Sequence, residues 1–478
     1  MTDVVTTPTT LAPQLPHQAR RTAIEPDAAG ALAELRDLLP GRVVGPDDAA
    51  WVPARMAWVV NVPQEPAAVV AVRDVADVVT AVTCAARHGL SVSAQPVGHG
   101  ATEALTGTVL LRTAALDDIE VDVAKQVVRV GAGVKWGAVL AAVEPTGMIV
   151  PAGSSPDPSV VGFTVGGGLS WFSRSIGSAA ENVEAFEVVD ATGTARRVTA
   201  TSDPDLFWAM CGGGGDFAVV TTIEMRLTPA PPVVGGRLMW PLEMAHPVLH
   251  SFREATAEAP EALTMWAEIF RFPPMPELPE EIRGKSFVAV DLTYLGDEAD
   301  LGPILEPLRR VPALILDTVG HVPLGRLGDI AAEPVDPMPA MESSGLLADL
   351  DTTTVDRLLR VAGAGAQLAL NVVQIRHLGG ALARSTRDDV PQGGLSENYS
   401  FFTLGVPAVP ELVPAIEAGF AAVREALSPQ STERGFFNFR GSSSDATSCF
   451  TPEVAERLRA VKAAVDPAGV IRSNRPTA

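Results

Sequence analysis

Three glycine-rich stretches carry the residues that could do chemistry in this chain. They are Gln95-Pro-Val-Gly-His-Gly-Ala101, the segment Pro151 to Arg174 (PAGSSPDPSVVGFTVGGGLSWFSR), and Cys211-Gly-Gly-Gly-Gly-Asp-Phe217. Glycine lets the main chain approach a ligand closely and reach positive φ, and successive N–H groups pointing one way form anion-binding nests. Any one of these stretches alone reads as a surface turn. All three lie in the first half of the chain beside apolar segments, which points to backbone amides gathered around a large anionic cofactor. His99 sits between two glycines of the first stretch, where an imidazole has room to meet a ligand.

Other motifs are weaker. Gly131-Ala-Gly133 follows a strand pattern and precedes a helix, as a dinucleotide fingerprint does, but Gly137 comes one residue late for G-x-G-x-x-G. It reads as a tight strand-to-helix turn, with a nicotinamide enzyme as the distant alternative. There is no G-x-x-x-x-G-K-[ST] and no H-E-x-x-H. His246, His250 and Glu254 recur at helical spacing, but Pro247 follows the first histidine and nothing else supports a metal, so they read as a solvated helix face. Cys84, Cys211 and Cys449 are far apart and fit a reducing, cytoplasmic setting.

The elements that must position these loops follow from the pattern. At 478 residues the chain is long enough for two or three cores, and a formal charge of −21 argues against nucleic acid and anionic membrane surfaces as partners. Residues 1–22 are polar and Pro/Thr-rich, an expected flexible arm. A helix is expected around Leu32 to Leu39. Strand–helix–strand follows over 67–95, with Asp74 as N-cap and Gly89 as the stop, and runs straight into the His99 loop. Strands over 109–112, 126–130 and 219–227, and a hairpin turning at Asp190-Ala-Thr-Gly193, complete a first unit that ends at Thr228-Pro-Ala-Pro-Pro232. Beyond it the glycine clusters thin out. Strand-like segments (286–294, 368–375, 399–406) alternate with helical ones, as in an antiparallel sheet backed by helices.

Taken together the loops resemble the flavin-dependent oxidases of the vanillyl-alcohol oxidase superfamily, in particular the berberine-bridge-enzyme-like group. The matching pieces are Gln95 to Ala101, Gly162-Phe-Thr-Val-Gly-Gly-Gly-Leu-Ser-Trp171, Asp205 to Val220, Phe437-Asn-Phe439 and Asp466-Pro-Ala-Gly-Val-Ile471. The resemblance implies an α+β fold: a two-subdomain PCMH-type FAD-binding domain over 23–230, a substrate-binding domain inserted over 231–430, and a C-terminal segment, 431–478, that returns to the FAD-binding part. It implies FAD held by Val97, Gly98, His99, Gly100, Ala101, Ser155, Pro158, Gly162, Gly166, Gly167, Gly168, Asn182, Gly215, Phe217 and Val219. His99 falls where relatives attach the flavin covalently through its 8α-methyl group. Ser155 stands where many relatives place a second, cysteinyl link, and a hydroxyl is far less nucleophilic than a thiolate, so attachment through His99 only is expected. Pro158 replaces the small apolar residue beside the flavin edge where oxygen reacts. This leaves molecular oxygen as the expected acceptor and another acceptor open.

The implied reaction is oxidation of a hydroxyl- or amine-bearing carbon of a small molecule, such as a sugar or secondary metabolite, with hydride transfer to flavin N5. Tyr399, one of only two tyrosines, is a candidate base if Arg376 or His377 lowers its pKa; a core aromatic is the equal alternative. Arg376 and His377 are neighbours on a strand, so at most one of them faces the flavin. Asn438 is a candidate polar contact near the ring, or a buried structural amide. An acceptor-dependent dehydrogenase of the same fold and a flavin-binding protein without turnover remain open at this stage.

Overall fold

The computed structural model describes residues 24–477 except Arg387, Glu433 and Ser444, and the arm expected over 1–22 lies outside them. The expected first helix is Ala28–Leu38. The strand–helix–strand unit builds a four-stranded sheet in the order Val43–Val44, Ala68–Ala71, Val109–Arg112, Val92–Ala94, with the last three strands parallel. Its helix, Val75–Arg87, is capped as expected: the Asp74 side chain accepts from the Asp77 amide, and Val78, Ala81, Val82 and Ala85 recur at helical spacing on the buried face.

A five-stranded antiparallel sheet follows, in the order Ile119–Asp122, Val127–Gly131, Val219–Arg226, Val183–Val189, Ala195–Val198. The turn of its hairpin is closed by Asp190, whose Oδ1 accepts from the Thr192 and Thr194 amides. The Gly131-x-Gly133 turn packs against its own neighbours: the Gly133 amide donates to Leu116 O, and a Cβ on Gly133 would lie 2.2 Å from Thr113 O. This close packing, rather than a phosphate, accounts for both glycines.

The third sheet is antiparallel throughout, with its long strands in the order Val233–Pro241, Ser286–Leu295, Leu263–Arg271, Val372–His377, Tyr399–Gly405, Met341–Leu347. Short strands Leu316–Asp317 and Gly320–His321 pair at its first edge. Helices Ala245–Ala257, Glu298–Arg309, Thr352–Ala362 and Val413–Leu427 supply Val248, Leu305, Leu358 and Val423 to one core with Leu238, Met265, Val290, Ile375 and Phe401 of the strands. Because strand side chains alternate, the residues between these point away from the helices. There Trp266 stacks on Trp171 of the second glycine-rich stretch at 3.7 Å and 13°, and Thr293 Oγ1 donates to Trp171 O. Such a stack adds about 1 kcal/mol beyond its buried area.

The chain's end is knitted back into the first unit. Ile471 bridges to Val92, and Asp216 accepts from the Ser473 and Thr477 amides. Lys462, buried in the last helix Pro452–Val465, pairs with Asp466 at 2.8 Å and donates to Asp216 O and Ile471 O. Among the described residues no helix is long and apolar enough to cross a membrane.

Candidate active site

The three glycine loops converge. Strand Val92–Ala94 delivers Gln95 into the first loop, where Gln95 and Gln64 bond each other and both reach Asn474 of the tail. Asn474 Oδ1 also accepts from the Thr102 amide at 2.9 Å, closing the far side of the loop. Between these anchors the amides of Val97, Gly98, His99 and Gly100 donate to no protein acceptor among the described residues. Gly98 takes φ +105°, and a Cβ there would lie 2.9 Å from Ala57 Cβ, so only glycine fits. In the second loop the amides of Gly153, Ser154 and Ser155 are likewise without a protein acceptor among the described residues.

His99 joins the first two loops. Its Nε2 meets Asp157 Oδ2 at 2.9 Å, its ring stacks on Trp58 at 4.3 Å, and the Trp58 indole is fixed by Val335 O. Asp157 is buried, and its other oxygen binds Lys135 Nζ. Burial pushes this carboxyl up, but the hydrogen bonds from His99 and Lys135 outweigh it and hold it below the ordinary aspartate value.

The second and third loops touch where the Gly214 amide donates to Val165 O. Helix Val160–Val165 starts at Ser159, whose side chain caps the Gly162 amide, and it ends in the Gly166–Gly168 turn. That turn is clamped by Asn438, which accepts from the Gly168 amide at 2.8 Å and donates to Phe163 O at 2.9 Å. Asn438 therefore holds the loop from behind with its oxygen and one of its two amide hydrogens. Asn182 is similar: buried, its Nδ2 donates to Ile176 O and Ser178 O. Ser155 Oγ caps the Asp157 amide, Pro158 O accepts from the Trp136 amide, and Phe217 and Val219 are core residues. Val97 to Ala101, Ser155 and Pro158 are thus brought to one place by the His99–Asp157 contact, while Gly162, Gly166 to Gly168, Asn182, Phe217 and Val219 build the frame behind it; Gly215 lies beside Ser473 of the tail, with its amide bonded to no described acceptor.

Facing the loops, the free face of the third sheet carries a continuous polar chain. Arg237 binds Asp291 through Nε and Nη2, each at 2.6 Å, and reaches Glu268 at 3.4 Å. Gln374 donates to Glu268 and accepts from Arg376 Nε. The Arg376 guanidinium lies over Trp266 at 3.9 Å and Phe439 at 4.7 Å, and its two Nη groups bond to nothing among the described residues. Burial and the nearby Asp291 charge push the Glu268 carboxyl up to about 8. At the end of the row Glu342 is half-buried and bonds to no described residue; burial raises it to about 7. Glu342, Ser344, Phe439 and Arg440 line a cavity of about 330 Å³. Glu333, whose Oε1 accepts from Ser154 Oγ at 2.6 Å, links this face to the second loop.

Strand alternation separates the three candidates expected together. Arg376 lies on the loop-facing side, whereas His377 and Tyr399 lie on the helix side. Tyr399 Oη shares a 2.7 Å hydrogen bond with Thr256, and burial pushes its phenol up, opposite to what a base needs. His377 Nε2 is 3.1 Å from Arg174 Nη1, and burial first, then the Arg174 charge, lower its pKa to about 3, so it is a neutral acceptor. Arg174 itself ties the second loop's end to the sheet through Leu263 O and Leu378 O. The histidine pair of helix Ala245–Ala257 meets Asp356, not Glu254, at 3.5 and 3.2 Å on the surface.

The sequence reading passed over Asp157, Glu268, Asp291, Gln374 and Glu342. A signal for two of them existed: Glu268 and Asp291 are lone acids in the otherwise apolar runs LTMWAEIFR and SFVAVDLTYL.

Residues 66–199 match the family model described as an FAD binding domain. Over 200 residues the chain is 34% identical to an FAD-dependent monooxygenase of Fusarium proliferatum, covering 41% of this chain and 39% of that protein. Over 205 residues it is 28% identical to the (R)-6-hydroxynicotine oxidase of Paenarthrobacter nicotinovorans, covering 42% and 45%. The chain thus spans about two fifths of the length of these curated relatives. Among solved structures, wild-type BBE-like 1 of Physcomitrella patens superposes with a TM-score of 0.81 at 18% identity, over 94% of this chain and 99% of that one. The unpartnered amides fit the group these matches imply, since a dinucleotide brings a pyrophosphate that needs such donors. The chain carries an FAD-binding domain and has the PCMH-type fold of the berberine-bridge-enzyme-like flavoproteins.

Proposed function

We propose that the chain is an FAD-dependent oxidase that removes a hydride from a hydroxyl- or amine-bearing carbon of a small organic molecule in the cytoplasm. The observation that carries this reading is the juxtaposition of two loops whose amides lack protein acceptors among the described residues, centred on His99, with a sheet face where the two Nη groups of Arg376 and the Glu342 carboxyl bond to no described residue. Residues 23–230 and 431–478 would form the cofactor side and 231–430 the substrate side. The amides of 97–100 and 153–155 would hold FAD, with His99 as its only covalent attachment.

The bound cofactor supplies an acceptor for the hydride at its N5. The remaining work falls to the chain. Arg376, whose two Nη groups bond to no described residue, orients an oxygen or nitrogen of the substrate. Trp266, Phe402 and Phe439 wall the site with aromatic surface that excludes water. Glu342, raised to about 7, takes the proton from the substrate hydroxyl or amine. Glu268 and Gln374 fix Arg376 from behind.

The test is anaerobic bleaching of the visible flavin band by a panel of sugars, primary and secondary alcohols and secondary amines, followed by oxygen-electrode measurement. At least one class bleaches the flavin and drives oxygen uptake. Bleaching without oxygen uptake would replace the oxidase by an acceptor-dependent dehydrogenase, and no bleaching by any member would leave a flavin-binding protein without turnover.

A further inference from the structure

Asp157 is the buried group for which the reaction above has no use. It lies between two partners, His99 Nε2 at 2.9 Å and Lys135 Nζ, with only 7% of its side chain exposed. Hydrogen bonds hold it below the ordinary aspartate value, so it is ionised across the working pH range and can only accept. An ionised acceptor at Nε2 fixes the imidazole tautomer: Nε2 carries the hydrogen and the lone pair is left on Nδ1. Trp58, stacked on the ring at 4.3 Å and held by Val335 O, restricts the plane in which that lone pair points. Among the described residues Nδ1 has no partner.

We infer that Asp157, positioned by Lys135, directs FAD attachment to Nδ1 of His99 and stabilises the charge that develops as the bond forms. The inference rests on the proposed His99 tether and names the group that drives it. One C–H bond of the cofactor's 8α-methyl group breaks and a C–Nδ1 bond forms from the imidazole lone pair. The electron pair released enters the ring system, which is left reduced by two electrons. The imidazole becomes cationic on alkylation and neutral again when Nε2 gives up its hydrogen. The methyl hydrogen and the Nε2 hydrogen both end on the reduced cofactor, and dioxygen then removes two electrons and two protons as hydrogen peroxide. Asp157 acts at the cationic stage: a carboxylate at 2.9 Å lowers the energy of the imidazolium, as a buried aspartate does for a histidine base.

The experiment uses the full chain with FAD. Covalent incorporation is followed by intact mass after denaturation, and the linkage isomer is read by NMR of the proteolytic flavopeptide against authentic Nδ1 and Nε2 conjugates. Wild type carries the Nδ1 isomer. Asp157→Ala still binds FAD, with the visible spectrum of a seated flavin, but forms the bond at least tenfold more slowly. Asp157→Asn, which keeps an acceptor without charge, is intermediate, and Lys135→Met is slowed less than either. A merely structural role would change FAD retention in the alanine variant and leave its ratio of bond formation to retained FAD unchanged. If Asp157→Ala fails to fold, the asparagine and methionine variants carry the comparison. Wild-type incorporation rates in Asp157→Asn and Lys135→Met, or a wild-type Nε2 linkage, overturn the inference while leaving the tether intact. Release of all FAD from denatured wild type, or unchanged covalent FAD in His99→Ala, instead overturns the tether itself.

Discussion

The two faces of the third sheet are made by the same strands and differ in everything else. On the helix side lie Ile375, His377, Tyr399 and Phe401; one residue along each strand, on the loop side, lie Gln374, Arg376, Ser400 and Phe402. On the helix side Tyr399 Oη is met by Thr256 and His377 Nε2 by Arg174, and the buried atoms left unpaired there, His377 Nδ1 and Ser343 Oγ, belong to uncharged groups. On the loop side a cation and a carboxyl, Arg376 and Glu342, are left with bonding capacity unused. A buried charge without a full set of partners costs free energy, and a fold retains it where a ligand completes the set. The difference teaches that neither composition nor an unpaired buried atom by itself marks a site; unmet bonding capacity on a cation and a carboxyl of one face does.

The largest effect that sharpens this contrast belongs to Glu342. Glu342→Gln should lower kcat/KM by about a hundredfold. The base must be ionised, so wild-type activity rises as pH rises through about 7, and this limb should vanish in the variant. A profile that keeps its limb would move the proton acceptor elsewhere.

Stability separates the faces next, because their buried groups titrate in opposite senses. His377 falls from 6.5 to about 3, so below pH 6.5 the unfolded chain binds a proton that the native one refuses, and stability is lost as pH drops toward 3. Glu268 rises from 4.5 to about 8, so its contribution is full below 4.5 and is lost as pH climbs through 8. Urea midpoints against pH should lose the acid slope in His377→Gln and the alkaline slope in Glu268→Gln. Each spans on the order of a few kcal/mol. Either slope surviving its own substitution would contradict the assignment. Tyr399→Phe is the smallest change: it should cost about 1 kcal/mol through the lost Thr256 hydrogen bond, read as a shift in the urea midpoint.

Much of the fold was legible in the sequence because local rules decide it. The Asp74 cap, the Gly89 stop and the Asp190 turn stand where their chemistry calls for them. The antiparallel sheet backed by helices followed from alternating segments. The glycine loops were legible as loops, and Arg376 was singled out. The direction in which Tyr399 and His377 point was not, because neighbouring residues on a strand are equivalent until tertiary packing chooses which side the helices cover. Glu342 and Asp157 were also beyond reach: Asp157 meets His99 and Lys135 only once the chain folds, and Glu342 is set apart by burial that no local pattern announces.

The most direct test of the contrast compares Arg376→Met with Tyr399→Phe in the anaerobic bleaching assay, using whichever panel compound reduces wild type and following flavin reduction by stopped flow. Arg376→Met should slow reduction by roughly a hundredfold or more while FAD content is retained, and Tyr399→Phe should stay within about twofold of wild type. The reverse pattern, a crippled Tyr399→Phe beside a near-normal Arg376→Met, would place the chemistry on the helix side and contradict the account.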